Sequence, residues 1–349
     1  MENEKNRELL TDYPLHLAIL SGGAGARLWP LSSGNVTKPF LKLPYEVTLI
    51  AQAVERAAKL VPLSNIWIVT TESLTKQTLT ALPQLSSRQI IEEPVGKNTA
   101  AACVLAAREI EKRAGGSVTL ITLPADHYIP DVDDFVNTMT KGARRASHGE
   151  TLVTFGLKVR APKTDYGYIE AVPSKKKNDW RSVKRFIEKP PLAKAKVFAK
   201  SGKHFWNSGI FCWRTDFFLS EMKKHASSVT RPLFEQTDTV RAYEEVFATS
   251  IDYALLEKSK FVDVIPASFA WSDLGTWSSV AAAIGKKKKE NIVQGTSRVV
   301  EGDGNFVRTN SKPFVLFGVD DLVIVEAENV VLVTTKEKSS DLKNLISKL

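Results

Sequence analysis

The segment LAILSGGAGARLWPLSSGNVTKPFL, residues 17–41, passes from an apolar run through a glycine-rich loop to two cations. The run ends at Leu20, the loop Ser21-Gly22-Gly23-Ala24-Gly25-Ala26 follows, and Arg27 and Lys38 come after it. Glycine lets backbone N–H groups approach phosphate oxygens with no Cβ in the way, and the cations neutralise charge that those amides only orient. Gly22, Gly23 and Gly25 are therefore expected to cradle phosphate, an ordinary turn between strand and helix being the alternative. Two familiar loops are excluded. The dinucleotide fingerprint fits Gly23 and Gly25 but needs a third glycine where Leu28 stands, so a nicotinamide-dependent oxidoreductase is not expected. The NTPase phosphate loop needs Ser or Thr after Gly96-Lys97, where Asn98 stands, and glycine where Ile91 stands.

Further apolar runs at 65–70, 88–91, 117–123 and 151–157 alternate with amphipathic stretches at 47–60, 74–82, 98–113 and 133–147. With the run at 15–20, this is the pattern of βαβ units feeding one largely parallel sheet, an α/β domain. The 98–113 stretch is expected to be a helix capped by Asn98 or Thr99. YGYIEAV, RSVKRFIEKP and NSGIFCWR read as further strands, with helices at 192–200 and 215–224. GKKKKEN at 285–291 reads as a linker. The short runs SRVV, NFVRT, PFVLFGV, LVIVEA and VVLVT, separated by turn residues, predict a small β domain resembling a short solenoid, closed by a helix over 340–348. Two domains are expected, 1–285 and 286–349.

A chain of 349 residues with 43% apolar content can bury a sizeable core, which excludes a disordered or fibrous protein. Forty-eight Lys plus Arg against 39 Asp plus Glu leave a net charge of +9, a field that favours anionic ligands. Two distant cysteines, Cys103 and Cys212, give neither metal-ligand spacing nor a disulfide framework and fit a reducing cytoplasm. No apolar run approaches membrane-spanning length and no secretory leader is evident, so no membrane association is expected. The lysine runs at 175–177 and 286–289 lack interleaved aromatics and read as solvated loops, so no nucleic-acid partner is expected. Trp206, Trp213, Trp271 and Trp277 read chiefly as core.

With GGAGARLWP at 22–30, the glycine-rich segment resembles the sugar-phosphate nucleotidyltransferases, and LWPLS at 28–32 is similar to the mannose-1-phosphate guanylyltransferases (GDP-mannose pyrophosphorylases) in particular. Other segments stand in that family's order: EEPVGKNTAAA at 92–102, LPADHYI at 123–129, YGYIE at 166–170, FIEKP at 186–190, WNSGIF at 206–211 and WSDLGTW at 271–277. The tail FGVDDLVIVEAENVVLV at 317–333 also matches. Departures are local: the family's Pro-Lys-Gln-Phe appears as Thr37-Lys38-Pro39-Phe40, and Ala26 precedes the arginine where Ser or Thr is common. Longer members carry a phosphomannose isomerase domain, and that activity is not expected from these residues.

The resemblance implies a Rossmann-like, GT-A-like nucleotidyltransferase domain with a mostly parallel mixed sheet. It implies GMP transfer from GTP to α-D-mannose 1-phosphate, with GDP-mannose and pyrophosphate as products, Mg²⁺ as cofactor and a homodimer. Because the attacking phosphate oxygen is already ionised, no deprotonating base is required, and positioning and charge neutralisation must supply the catalysis. By resemblance Asp126 and Asp273 bind the metal. A helix cap near Leu274 is the alternative for Asp273, and His127 is expected to take a hydrogen-bonding role because imidazole suits Mg²⁺ poorly. Arg27 and Lys38 should contact the phosphates. Guanine calls for acceptors, with Glu93, Pro94 and Gly96 proposed for them and Asn98 nearer the ribose or the helix cap. For the sugar phosphate, Gly167, Glu188, Asn207 and Lys189 are the expected contacts. Adjacent strand residues face opposite ways, so Glu188 and Lys189 can act together only if the strand ends or twists before Pro190. Another sugar 1-phosphate such as a manno-heptose, or a silent GDP-mannose sensor, are the alternatives, and retention of Arg27, Lys38, Asp126 and Asp273 argues against silence.

Overall fold

In the computed structural model, which describes residues 11–22, 26–33, 36–173, 179–285, 287 and 289–349, the apolar runs become neighbouring strands. They are β1 (Leu15–Ser21), β2 (Ile66–Thr71), β3 (Ile90–Glu93), β4 (Thr119–Pro124) and β5 (Leu152–Lys158), each within two residues of the sequence expectation. β6 (Tyr168–Ala171), β7 (Arg181–Ile187), β8 (His204–Arg214) and β9 (Val262–Ala267) complete a nine-stranded sheet of order β3-β2-β1-β4-β8-β5-β9-β7-β6. The pairings make every strand except β7 and β8 run one way, a mostly parallel mixed sheet. Leu17, Ala18 and Ile19 at its centre are fully buried, as expected where helices cover both faces.

The Asn98–Ala114 helix buries Ala100–Ala102 and Cys103 through Ala107 and ends at Gly115, whose φ of +76° suits glycine at a left-handed stop. Its start differs from expectation: Lys97 precedes the first turn, and Asn98, at φ +69°, accepts from Thr99 N at 2.8 Å instead of capping the helix further in. The Val132–Ser147 helix has Asp133 and Asp134 in its first turn and Arg144 and Arg145 in its last, matching its dipole. Helices Leu49–Ala57, Glu72–Ala81, Leu192–Ser201 and Thr215–His225 overlap the predicted stretches. Helices Ser227–Glu235 and Thr239–Glu245, the π-helical turn Asp252–Leu256 and strand β9 were not foreseen.

Contacts divide the chain into two compact units. The first holds residues up to Ser21, Val54–Pro124 and Asp131–Phe269, and with them the whole sheet. The second holds Gly22–Ala53, Ala125–Pro130 and Ala270–Leu349. In the second, β10 (Ile292–Gln294), β12 (Phe306–Arg308) and β14 (Leu322–Ala327) form one parallel ladder, and β11 (Arg298–Val300) pairs in parallel with β13 (Val315–Phe317). Ile292 aligns with Phe306 and Phe306 with Val323, so the chain coils through successive rungs. Asn305, fully buried, ties the rungs by donating to Val319 O and accepting from Leu322 N. β15 (Val330–Thr335) closes the ladder antiparallel to β14. A 3₁₀ turn, Lys338–Asp341, and the helix Leu342–Ile346 replace the single helix expected over 340–348.

Candidate active site

In the second unit, Lys38 joins the two aspartates singled out from the sequence. Its Nζ lies 2.7 Å from Asp126 Oδ2 and also donates to the main-chain carbonyl of Asp273. Lys38 is buried, in a short turn whose Pro39 and Phe40 are buried with it. Desolvation alone would push the Asp126 carboxyl up, but the Lys38 ammonium, His127 and the Lys38 hydrogen bond outweigh it and hold Asp126 below the usual range. Asp273 Oδ1 accepts from Gly275 N at 3.2 Å. A Cβ on Gly275 would lie 2.6 Å from Asp273 Oδ2 and 3.5 Å from Arg27 Nη2, so carboxylate and guanidinium both face that bare Cα.

The sequence builds this arrangement by setting a buried apolar residue beside each polar one. Leu28 follows Arg27, Leu274 follows Asp273 and Tyr128 comes two residues after Asp126, and all three join one apolar cluster with Trp277 and Phe306. Tyr128 and Ser272 exchange backbone hydrogen bonds, 2.9 and 3.0 Å, fixing residues 125–130 against the segment that carries Asp273. Leu274 is held at φ +44°, a left-handed conformation that a branched side chain adopts only when its surroundings enforce it. Asp273 does not cap the following helix. That helix is Trp277–Ile284, capped by Thr276 in a reciprocal box with Ser279. His127 accepts from Trp271 Nε1 at 3.2 Å. Gly22 is exposed with open space around it, while Gly23 and Gly25 lie outside the described residues, as do Lys175, Lys176, Lys177, Lys286 and Lys288.

The first unit holds the residues expected around base and sugar, several of them hydrogen-bonded to neighbouring segments. Glu93, the last residue of β3, is buried and accepts from Tyr243 Oη at 3.1 Å and from Lys97 N–H. Desolvation, only partly countered by those neutral donors, pushes it up to about 7. It is therefore not an exposed acid at a strand end. Gly96 and Asn98 are exposed and Pro94 half-buried. Thr99 Oγ1 accepts from Ile251 N at 2.9 Å, and Ala100 N donates to Thr249 O, so the 249–251 segment is fastened to the first turn of the Asn98–Ala114 helix.

Asp252 follows directly and accepts from Asn207 Nδ2 at 2.7 Å. Asn207 N donates to Gly167 O at 2.9 Å, and a Cβ on Gly167 would stand 2.5 Å from Glu188 Oε2. β7 ends at Ile187 and Lys189 adopts φ +44°, so the alternation of a regular strand no longer applies. Lys189 Nζ lies 2.5 Å from Glu188 Oε1. Tyr243 and Asp252 were missed because each is a lone polar residue in a segment without periodic signal. Trp206, Trp213 and Trp277 are buried, as expected of core aromatics.

Among the described residues no helix is long and apolar enough to cross a membrane, and no three or more His, Cys, Asp or Glu form a metal-binding group.

A nine-stranded mixed sheet with acidic and cationic groups suited to phosphate chemistry defines a class, and the chain belongs to the nucleotidyl transferase family, whose profile matches residues 17–290. Residues 295–349 match a second profile, the MannoseP isomerase/GMP-like beta-helix domain. The chain is 35% identical to the alginate biosynthesis protein AlgA of Pseudomonas fluorescens over 350 residues, 95% of this chain and 71% of that one. It is 34% identical to the mannose-1-phosphate guanylyltransferase of Sinorhizobium fredii, covering 95% of this chain and 67% of that one. The crystal structure described as mannose-1-phosphate geranyltransferase from Thermus thermophilus superposes with a TM-score of 0.87 at 28% identity, over 96% of this chain and 98% of that one.

Proposed function

We propose that this nucleotidyltransferase transfers GMP from GTP to α-D-mannose 1-phosphate, releasing pyrophosphate and forming GDP-mannose. The observation that carries the reading is the junction of Lys38 with Asp126 and Asp273, two carboxylate residues and an ammonium assembled from distant parts of the chain. Two unit charges 4 Å apart interact by about 4 kcal/mol at an effective dielectric of 20, so bringing one phosphate to another demands such neutralisation.

Lys38 is assigned to the phosphates at the reacting centre as a point charge, and Arg27 to the leaving pyrophosphate through its planar fork. The backbone at Gly22, Gly23 and Gly25 is assigned to the triphosphate. Asp126 and Asp273 supply hard oxygens, and Mg²⁺ commonly takes one or two carboxylates and completes its shell with phosphate oxygen and water, so the pair fits that ion. Bound there, Mg²⁺ would neutralise developing phosphate charge. Glu93, Pro94, Gly96 and Asn98 are assigned to the nucleoside. Gly167, Glu188, Asn207 and Lys189 are assigned to the sugar phosphate, with Glu188 accepting from hydroxyls and Lys189 facing the phosphate.

We further propose the division into a catalytic domain, 1–285, and a β domain, 286–349, and a homodimer acting in the cytoplasm. Exposed Val315, Phe317 and Val333 on the β domain, 72%, 66% and 59% accessible, support self-association, and two buried free cysteines suit a reducing compartment. Pyrophosphate release from the purified chain tests the reaction. Release is expected with GTP, mannose 1-phosphate and Mg²⁺, and little with ATP or UTP, or with chelator. Silence with every donor and acceptor pair would refute the assignment.

A further inference from the structure

Asp252 has no part in the reading above, yet it sits where that reading puts the sugar. It opens the Asp252–Leu256 π-helical turn, a rare backbone form. Its Oδ1 accepts from Asn207 Nδ2 at 2.7 Å, while Asn207 Oδ1 accepts from Gly209 N at 3.1 Å and from Thr154 Oγ1 at 3.5 Å. An ionised carboxylate only accepts and a peptide N–H only donates, so the Asn207 amide cannot turn over without breaking bonds on both sides. One of its two N–H groups goes to Asp252. The same Nδ2 would lie 3.7 Å from a Cβ on Gly167, and Glu188 Oε2 would lie 2.5 Å from it, so amide and carboxylate flank one bare Cα.

We propose that Asp252 is a positioning residue for the sugar acceptor. By locking Asn207 in one orientation, it presents an amide N–H beside the Glu188 carboxylate, a donor and acceptor pair that reads neighbouring hydroxyls and sets which epimer of a sugar 1-phosphate is accepted. The inference rests on the sugar-phosphate reading given above. Its chemistry is that of any site built to pair with hydroxyl groups: a mismatched epimer leaves polar groups unpaired and is rejected. Asparagine at 252 could donate to Asn207 Oδ1 as readily as accept from Nδ2, so the Asp252 side of the lock would be lost with almost no change in volume, leaving the Gly209 N–H and the Thr154 hydroxyl to hold the amide.

The test uses the full chain and pyrophosphate release. Asp252→Asn is expected to raise KM for mannose 1-phosphate roughly tenfold, to leave kcat within about threefold and KM for GTP unchanged, and to lower the preference over the C2 epimer, glucose 1-phosphate, by a similar factor. Combined with Asn207→Ser, it should add nothing to the effect of Asn207→Ser alone, because it acts through that side chain. Parallel changes in KM for GTP and sugar, an unchanged epimer preference, or simple additivity would overturn the proposal. Asp252→Ser serves if the first variant does not fold. Wild-type chain silent toward every sugar 1-phosphate would defeat the reading of the reaction instead. In that case the Asn207 side-chain amide resonance, assigned by its loss in Asn207→Ser, still decides the lock. Slow exchange in the wild type and fast exchange in Asp252→Asn is expected, and equal exchange in both would overturn the proposal.

Discussion

Glu93 closes β3 and Asp126 comes two residues after β4, yet the two carboxylates are tuned in opposite directions. Asp126 meets an ammonium 2.7 Å away and is held ionised, whereas Glu93 meets a phenol and a peptide N–H inside an apolar surround and is pushed up to about 7. Asp252 follows Glu93: desolvation, with Glu188 adding to it, pushes it up to about 6. A carboxylate with a cationic partner is prepared to hold a cation, and one with neutral partners is prepared to exchange hydrogen bonds with neutral groups. The two regions also share a device. Asp273 faces the bare Cα of Gly275 and Glu188 that of Gly167, and each is followed by a residue at φ +44°.

The contrast breaks most sharply at the charged cluster. Asp126→Asn and Asp273→Asn should each lower turnover by roughly 10²–10³-fold while GTP binding changes far less, read by pyrophosphate release against equilibrium binding. Unchanged turnover would remove the metal assignment. The glycines sharpen the comparison at the next level. Gly275→Ala must displace the Asp273 carboxylate and should cost on the order of tenfold or more in kcat, whereas Gly167→Ala displaces the flexible end of Glu188 and should raise KM for mannose 1-phosphate about tenfold with kcat nearly kept. Equal kinetic signatures for the two variants would mean that the regions do not divide the work this way.

The smallest effects are in stability, and their signs differ. Glu93 titrates higher folded than unfolded, so its contribution is fully present below the unfolded value of about 4.5 and is lost as pH rises through about 7. Glu93→Gln should therefore stabilise the chain at pH 8 by up to about 3 kcal/mol and leave it unchanged at pH 4.5, measured by chemical denaturation. Asp126 titrates lower when folded, so its contribution is present at neutral pH and lost in acid. Asp126→Asn should destabilise at pH 7, with the penalty shrinking as pH falls.

The parallel half of the sheet was legible because strands buried on both faces read as largely apolar runs, and β1, β2, β4 and β5 announced themselves that way. β9 did not. Asp263 interrupts its run, and that aspartate is tolerable in the core because Arg145, 118 residues away, reaches it with Nε at 2.8 Å and Nη2 at 2.7 Å and Thr151 Oγ1 donates to it at 3.3 Å. Helix Ser227–Glu235 carries Pro232, which argues against a helix in any local reading. Lys38 was reached from the glycine-rich segment and Asp126 and Asp273 through resemblance, since nothing in spacing links the three. Their meeting depends on Leu28, Tyr128 and Leu274 sharing one apolar cluster. Asp252 escaped for the same reason: its significance lies in a partner 45 positions away.

A ladder of parallel rungs has no natural limit, because each new strand offers the next one the same unpaired edge. β15 turns back on β14 over six paired residues, Leu322 to Thr335 through Ala327 to Val330, and so occupies the side on which another turn would otherwise be added. Truncation before Val330 would bare that side and invite end-to-end polymerisation of folded molecules into fibres. The reversal thus works as a terminator of growth.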